Sequence, residues 1–232
     1  MLWSDDEASY ENGIQSWQNS EGQECASYVL IWLATHVVNL VAAESQQNTG
    51  HVLWAHRTEY RQAQSSPWIK LRRMLSWWYN NRSQVFQSYA VTEIKPIGAR
   101  QGTTLKAKFF TCSTGAAALQ LYHFVQTLLL LNLPQDALAG ATMSNRLRML
   151  KRHSDEAEYH SREVCAIALG SPPFAVQRQM LYPLQLAGSY FDAQDDRKAI
   201  LELLKGAVEE TSSPIEDVVQ ALRMQWEQND QI

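Results

Sequence analysis

Between Thr114 and Pro134 apolar residues fall on every side of a helix rather than along one stripe: Ala116, Ala117, Ala118, Leu119, Leu121, Phe124, Val125 and then Leu128 to Leu131. A helix patterned this way belongs in a protein interior. Pro134 lacks an amide hydrogen and clashes with the preceding turn, so the helix is expected to stop near Asn132. Ser113 or Thr114 is available as its N-cap. Polar atoms enter this element through Gln120, Tyr122, His123, Gln126 and Thr127, and burial obliges each of them to find a partner.

A second, nearly continuous apolar pattern starts at Cys25 and runs through Val29, Leu30, Leu33, Val37, Leu40 and Val41, with Trp32 and Val38 on the other side and the polar run 44–50 closing it. Its apolar stretch from Tyr28 to Ala43 contains His36 and Asn39 and is short against the roughly 20 residues a bilayer span needs, so a buried helix is expected, not a membrane span. Residues 51–64 read as a more exposed helix presenting Leu53, Trp54 and Tyr60. Ser65-Ser66-Pro67 then supplies a cap and a proline preset for the first helical position. Behind it Trp68, Leu71, Leu75 and Trp78 share one helical face, while Lys70, Arg72 and Arg73 point elsewhere.

Residues 92–104, with a proline and two glycines and no period, read as a loop. A long helical pattern from about Thr142 to Leu169 follows, its apolar face formed by Leu147, Leu150, Ala157, Val164, Ile167 and Ala168 and its end set by Ser171-Pro172-Pro173. The apolar segment Val176 to Tyr190 holds Pro183, which predicts a kink or break. Asp195 or Asp196 starts a helix through Ile200, Leu201, Leu204 and Val208. Ser213-Pro214-Ile215-Glu216 is a capping box opening a last helix with Val218, Val219, Leu222 and Trp226 on its buried face. No alternating strand pair and no Asn-Gly hairpin signal is found. The pattern predicts an all-α fold, an irregular multi-helix bundle of antiparallel helix pairs around a buried central helix at about 114–132. Residues 1–24 read as an acidic, loosely ordered arm and 25–232 as a single domain.

Composition adds that 232 residues, 45% hydrophobic and 10% aromatic, are enough for a sizeable core. Cys25, Cys112 and Cys165 have no paired spacing, so neither a disulfide framework nor a zinc ribbon is indicated and an intracellular location is expected. The net charge of −4 is unevenly spread. Residues 1–56 hold seven acids and no Lys or Arg, 57–108 hold ten bases and two acids, and 109–232 hold ten bases and fifteen acids. Lys70, Arg72, Arg73 and Arg82 would suit phosphates, but a solvated face, or pairing with acids of the same chain, accounts for them more simply.

No phosphate-cradling glycine loop, G-x-S-x-G elbow or H-E-x-x-H pair occurs. Asp5-Asp6-Glu7 and Asp195-Asp196 lack a second carboxylate at a matching turn, and Asp195 and Asp196 read as solvated acids at a helix start. His123, beside Tyr122 in the central helix, has no identifiable catalytic partner and reads as a hydrogen-bonded core residue. No catalytic residue, metal ligand or cofactor-binding residue is assigned.

Read in order, WIKLRRMLSWWYNNR at 68–82 with Phe86 after it, FFTCSTGAAALQLYHFVQTLLLLNLP at 109–134, REVCAIALGSPP at 162–173 and YPLQLAGSYFDAQDDRKAILELL at 182–204, closed by ALRMQW at 221–226, carry a common signature. Together they resemble the helical regulatory domain of fungal zinc-binuclear-cluster transcription factors, over roughly residues 25–228. That family reads DNA through six cysteines on two zinc ions, which this chain lacks. The resemblance therefore implies a nuclear regulatory domain that does not read DNA sequence by itself, either the C-terminal part of a longer factor or a shortened relative. It implies no cofactor, no enzyme activity and no membrane. Its expected partners are proteins of the transcription machinery, a homologous subunit or a small-molecule effector. The alternatives are a small-molecule-sensing module in which Tyr122, His123 and Trp78 line a pocket and, with less to support it, an all-helical enzyme.

Overall fold

The computed structural model describes residues 23–49, 67–94, 105–134, 142–170, 172, 174–191, 193–208 and 215–230. Their elements, in order, are α1 (Gln23–Thr49), α2 (Pro67–Asn80), β1 (Ala90–Ile94), β2 (Leu105–Phe109), α3 (Ser113–Leu131), α4 (Met143–Leu169), the single turn α5 (Phe174–Gln177), α6 (Leu181–Gly188), α7 (Gln194–Val208) and α8 (Ile215–Asn229). The fold is mainly all-α with one small two-stranded sheet.

α3 is the interior element. Residues on all its sides are buried, including Ala116, Leu119, Tyr122, His123, Gln126 and Leu129, and Asn132 closes it by donating its backbone N–H to the Leu128 carbonyl. Its neighbours lie alongside it in a readable order. Trp68 bonds the carbonyl of Leu129 and Trp78 stacks on Tyr122, so α2 runs antiparallel to α3. His160 meets His123 while Trp68 meets His153, so α4 is antiparallel to α3 as well and parallel to α2. One hydrophobic core extends from Ala26 on α1 to Trp226 on α8.

Three buried tryptophans tie these helices together. The Trp78 indole N–H donates to the Ala26 carbonyl at 2.9 Å, Trp68 to Leu129 at 2.7 Å and Trp226 to Gly188 at 2.9 Å. Leu129 lies in the last turn of α3, where carbonyls have no partner within the helix, so Trp68 satisfies a group that would otherwise be buried and unpaired. The four positions of the α2 stripe, Trp68, Leu71, Leu75 and Trp78, are all buried as their spacing predicts.

Several expectations are corrected. Residues 92–94 and 105–109 belong to an antiparallel hairpin in register from Ala90 opposite Phe109 to Ile94 opposite Leu105. Leu105-Lys106-Ala107-Lys108-Phe109 alternates with the period of a half-buried strand, and Glu93 sits opposite Lys106, a favourable cross-strand pair. The N-cap of α3 is Cys112, whose Sγ accepts from the Gly115 N–H, and not Ser113 or Thr114. α1 continues to Thr49 through the polar run expected to close it, and it is half-exposed, with Tyr28, Ile31 and Val38 facing outward. By length and hydropathy the windows Ala26–Ala43 and Ser113–Leu131 would both fit a bilayer; the second is the core helix itself. Leu147 and Leu150, assigned to the buried face of α4, are exposed because no described element covers that end of the helix. The segment holding Pro183 is broken into α5, a 3₁₀ turn at Arg178–Met180 and α6, with Pro183 in the first turn of α6, where its missing N–H costs nothing. The helix over 51–64, the arm up to residue 22 and the Ser213-Pro214 cap lie outside the described residues.

Gly170 ends α4 at a φ of −70°, which any residue adopts, so its constraint is space. A Cβ there would collide with the Lys108 carbonyl oxygen, a backbone atom of β2 that cannot rotate away. Gly170→Ala is expected to destabilise the fold by about 1–3 kcal/mol through overpacking, read as a lowered urea midpoint. An unchanged midpoint would mean that the hairpin does not press on the end of α4.

Candidate functional site

The densest group of polar and aromatic side chains lies where α2, α3 and α4 run side by side. Tyr79 stacks on Tyr122 at 4.6 Å between ring centroids, Trp78 stacks on the same ring at 5.7 Å, and His160 meets its edge at 5.8 Å. Trp78, Tyr122 and His123, the three residues singled out from the sequence, are thus brought together, all buried, His123 at 1% exposure. The partner that could not be identified for His123 is His160, with the two Nδ1 atoms 2.8 Å apart. His160 sits three residues beyond Ala157 and four before Val164, so a histidine on the apolar face of α4 was the available signal.

Only one of the facing Nδ1 atoms can carry the hydrogen. His123 Nε2 lies 3.7 Å from Glu163 Oε2, and the carboxylate favours a hydrogen on that nitrogen. His123 Nδ1 is then the acceptor and His160 Nδ1–H the donor. Glu163 is itself paired with Lys108 of β2, which the contact between Gly170 and the β2 backbone holds in place. Elsewhere in the group Gln126 donates to the Tyr122 hydroxyl at 3.0 Å, and Thr127 donates to the His123 carbonyl at 3.0 Å. The Arg82 guanidinium lies 3.6 Å over the Tyr79 ring and donates to the Tyr79 carbonyl.

Burial governs the protonation of this group. It holds His123 well below the ordinary histidine range, helped by the positive charges of Lys108 and Arg82 and by His160. Burial pushes His160 down to about 4, with Glu156 opposing the shift. Tyr122 is pushed up to about 12 by burial, and Tyr159 is raised by burial and by the Glu163 charge. Both imidazoles and both phenols are therefore neutral at neutral pH. Cys165 on the same helix is pushed to about 12 by burial and by Asp196, so its thiol is protonated and a poor nucleophile. Among the described residues no group of three or more His, Cys, Asp and Glu side chains is arranged to hold a metal ion.

Around this centre the basic residues are partly spent within the chain. Arg72 reaches both oxygens of Glu156 at 2.5 Å and His153 Nδ1 at 3.2 Å, while Arg73 stays exposed. Asp196 corrects a further expectation, since it is buried and not solvated. It accepts from Arg162 of α4 at 3.0 Å, and the neighbouring Arg197 makes a two-point pair with Asp230 and donates to the Phe191 carbonyl. Asp5-Asp6-Glu7 lies outside the described residues. No family model, curated protein or solved structure matches the chain.

The histidine pair sets a pH dependence. Both histidines titrate near 6.5 in the unfolded chain and lower in the fold, so between those values the unfolded state binds more protons. Their contribution to stability is complete above about pH 7 and is lost as the pH falls toward about 4, for His160 by up to roughly 3 kcal/mol at 1.36 kcal/mol per unit. Urea midpoints measured from pH 7 to pH 4 are expected to decline. His160→Asn, which keeps a donor for His123 Nδ1 but does not titrate, is expected to flatten the decline. An identical slope in the variant would assign the effect to other groups.

Proposed function

We propose that the chain is a transcription-regulatory helical domain of the kind found in fungal transcription factors, working in the nucleus through protein or effector contacts and not by reading DNA. The observation that supports this reading is spatial. The stretches that carry the family resemblance lie on α2, α3, the end of α4, α6 with α7, and α8, and their residues meet: Trp78 on Tyr122, Glu163 beside His123, Trp226 on Gly188. A signature made of mutually packed core positions is what a shared scaffold requires. The chemistry agrees with a scaffold. The imidazoles and phenols of the centre are neutral, and Arg72, Arg82 and Lys108 are engaged inside the chain, which takes them away from a phosphate-binding surface.

The purified chain is expected to show no sequence preference among duplex DNAs by fluorescence anisotropy at about 150 mM salt, where a sequence reader discriminates by at least ~10³-fold. Tethered to a reporter promoter through an unrelated DNA-binding domain, it is expected to change transcription several-fold. Sequence-selective binding, or a reporter left unchanged, would overturn the proposal.

One observation favours effector sensing as a second reading. Gln126 Oε1 is buried one turn from Tyr122 and has no hydrogen-bond partner among the described residues, an acceptor that a ligand donor would satisfy. A panel of small polar metabolites is expected to contain one that raises the melting temperature of the native chain and not of Gln126→Leu. A panel that raises neither removes this reading.

A further inference from the structure

α1 is apolar on two opposite faces, and the fold uses one of them. Ala26, Leu30, Leu33, Ala34 and Val37 are buried where α1 packs on α2 and α3. On the other side Tyr28, Ile31, Thr35, Val38 and Ala42 are exposed, Tyr28, Ile31 and Val38 by 67, 51 and 49%. Their spacing alternates three and four residues from Tyr28 to Ala42, which is the seam of a pair of helices. The solvent face of a helix ordinarily carries charge, yet residues 25–43 hold no Asp, Glu, Lys or Arg. The one polar side chain in the stripe is already satisfied. Thr35 Oγ1 donates to the Ile31 carbonyl at 3.0 Å, so the position can be covered without stranding a donor.

These features select what covers the face. A bilayer is a poor cover, because the opposite side of the helix is packed on protein and the exposed side has no Lys or Arg to meet headgroups. A charged partner would find no counter-charge there. A second copy of α1 meets the requirement with the stripe itself. An isologous contact sets the same face of both copies together, and a stripe without charge has no like charges to repel. Orientation follows from size, since Tyr28 stands at one end of the stripe and Ala42 at the other. Parallel copies would set Tyr28 on Tyr28 and Ala42 on Ala42, splaying the helices at one end. Antiparallel copies even out the width along the seam and also oppose the two helix dipoles.

We propose that two copies of the chain pair through α1, antiparallel about a two-fold axis between Thr35 and Val38. Thr35 of one copy then packs on Val38 of the other, Ile31 packs on Ala42, and Tyr28 closes each end. The seam is about 21 Å long at 1.5 Å per helical residue. A contact confined to that length of one helix is small, so the pair forms and separates at micromolar concentration. The pairing stands independently of what the chain regulates.

Sedimentation equilibrium of the full chain from about 1 to about 100 μM is expected to show monomer and dimer in exchange. Ile31→Glu and Val38→Glu, both at exposed positions, are each expected to weaken the dimer at least ~10-fold through like charges at the seam, with the far-ultraviolet circular dichroism unchanged. Cysteine pairing reads the contact without adding charge. In a Cys25→Ser/Cys112→Ser background, Ile31→Cys and Ala42→Cys chains mixed before mild oxidation are expected to give a disulfide-linked dimer that neither gives alone. A chain that stays monomeric at about 100 μM, a dimer that both glutamate variants leave intact, or links formed by each cysteine variant with itself would overturn the proposal. A monomer that binds phosphatidylcholine vesicles, and loses them on Ile31→Glu, would overturn it in favour of a bilayer.

Discussion

Burying α3 on all sides is the constraint from which the rest of the arrangement follows. A helix with a wet face can leave side-chain polar groups to water, but α3 has almost no such face, so its polar atoms must be met by its neighbours. Tyr122 receives Gln126, Thr127 folds back to the His123 carbonyl, Leu129 receives an indole from α2, and His123 receives an imidazole from α4. These requirements fix where along α3 each neighbour sits. α2 and α4 flank it in one relative orientation because Trp68 and His160 have single acceptors to reach.

The charges obey the same logic at one remove. Glu163 stands beside a neutral His123 and takes its cation from β2, so the hairpin completes the electrostatics of the helical core, although its own contribution to the core is small. Gly170 makes this placement a matter of backbone contact, which is stiffer than any side-chain pairing. On the other side of α4, Asp196 and Arg162 bind α7 to the same helix while Arg197 binds the end of α8. α4 therefore carries the ionic connections, while α3 carries the apolar ones.

Much of this was legible in the sequence, and the misses have physical causes. Period alone located α3 and the α2 stripe, because a helix face fully covered by neighbours repeats without exceptions. The same period failed at Leu147 and Leu150, since it identifies a face but not how far neighbouring elements extend along it. The hairpin escaped because each strand has five residues and no tight-turn dipeptide marks the connection, so the alternation in Leu105–Phe109 was the one cue. Of the candidate site, Trp78, Tyr122 and His123 were visible as polar-tipped residues in apolar surroundings. His160 and Glu163 were not, because what defines them is a partner on another element.

The three indole-to-carbonyl bonds also bear on how the chain reaches this state. They join residues 61, 52 and 38 apart in sequence, and none closes within one helix or between successive turns. α3, like other helices of its length, draws its stability from tertiary packing, and one of these distant closures, Trp68 on Leu129, ends on it directly. The entropy of closing loops of this length opposes all three contacts before any of them forms. Until they close, the apolar surface of α3 faces solvent, and transiently exposed apolar surface of this kind is what makes a partly folded chain prone to aggregate.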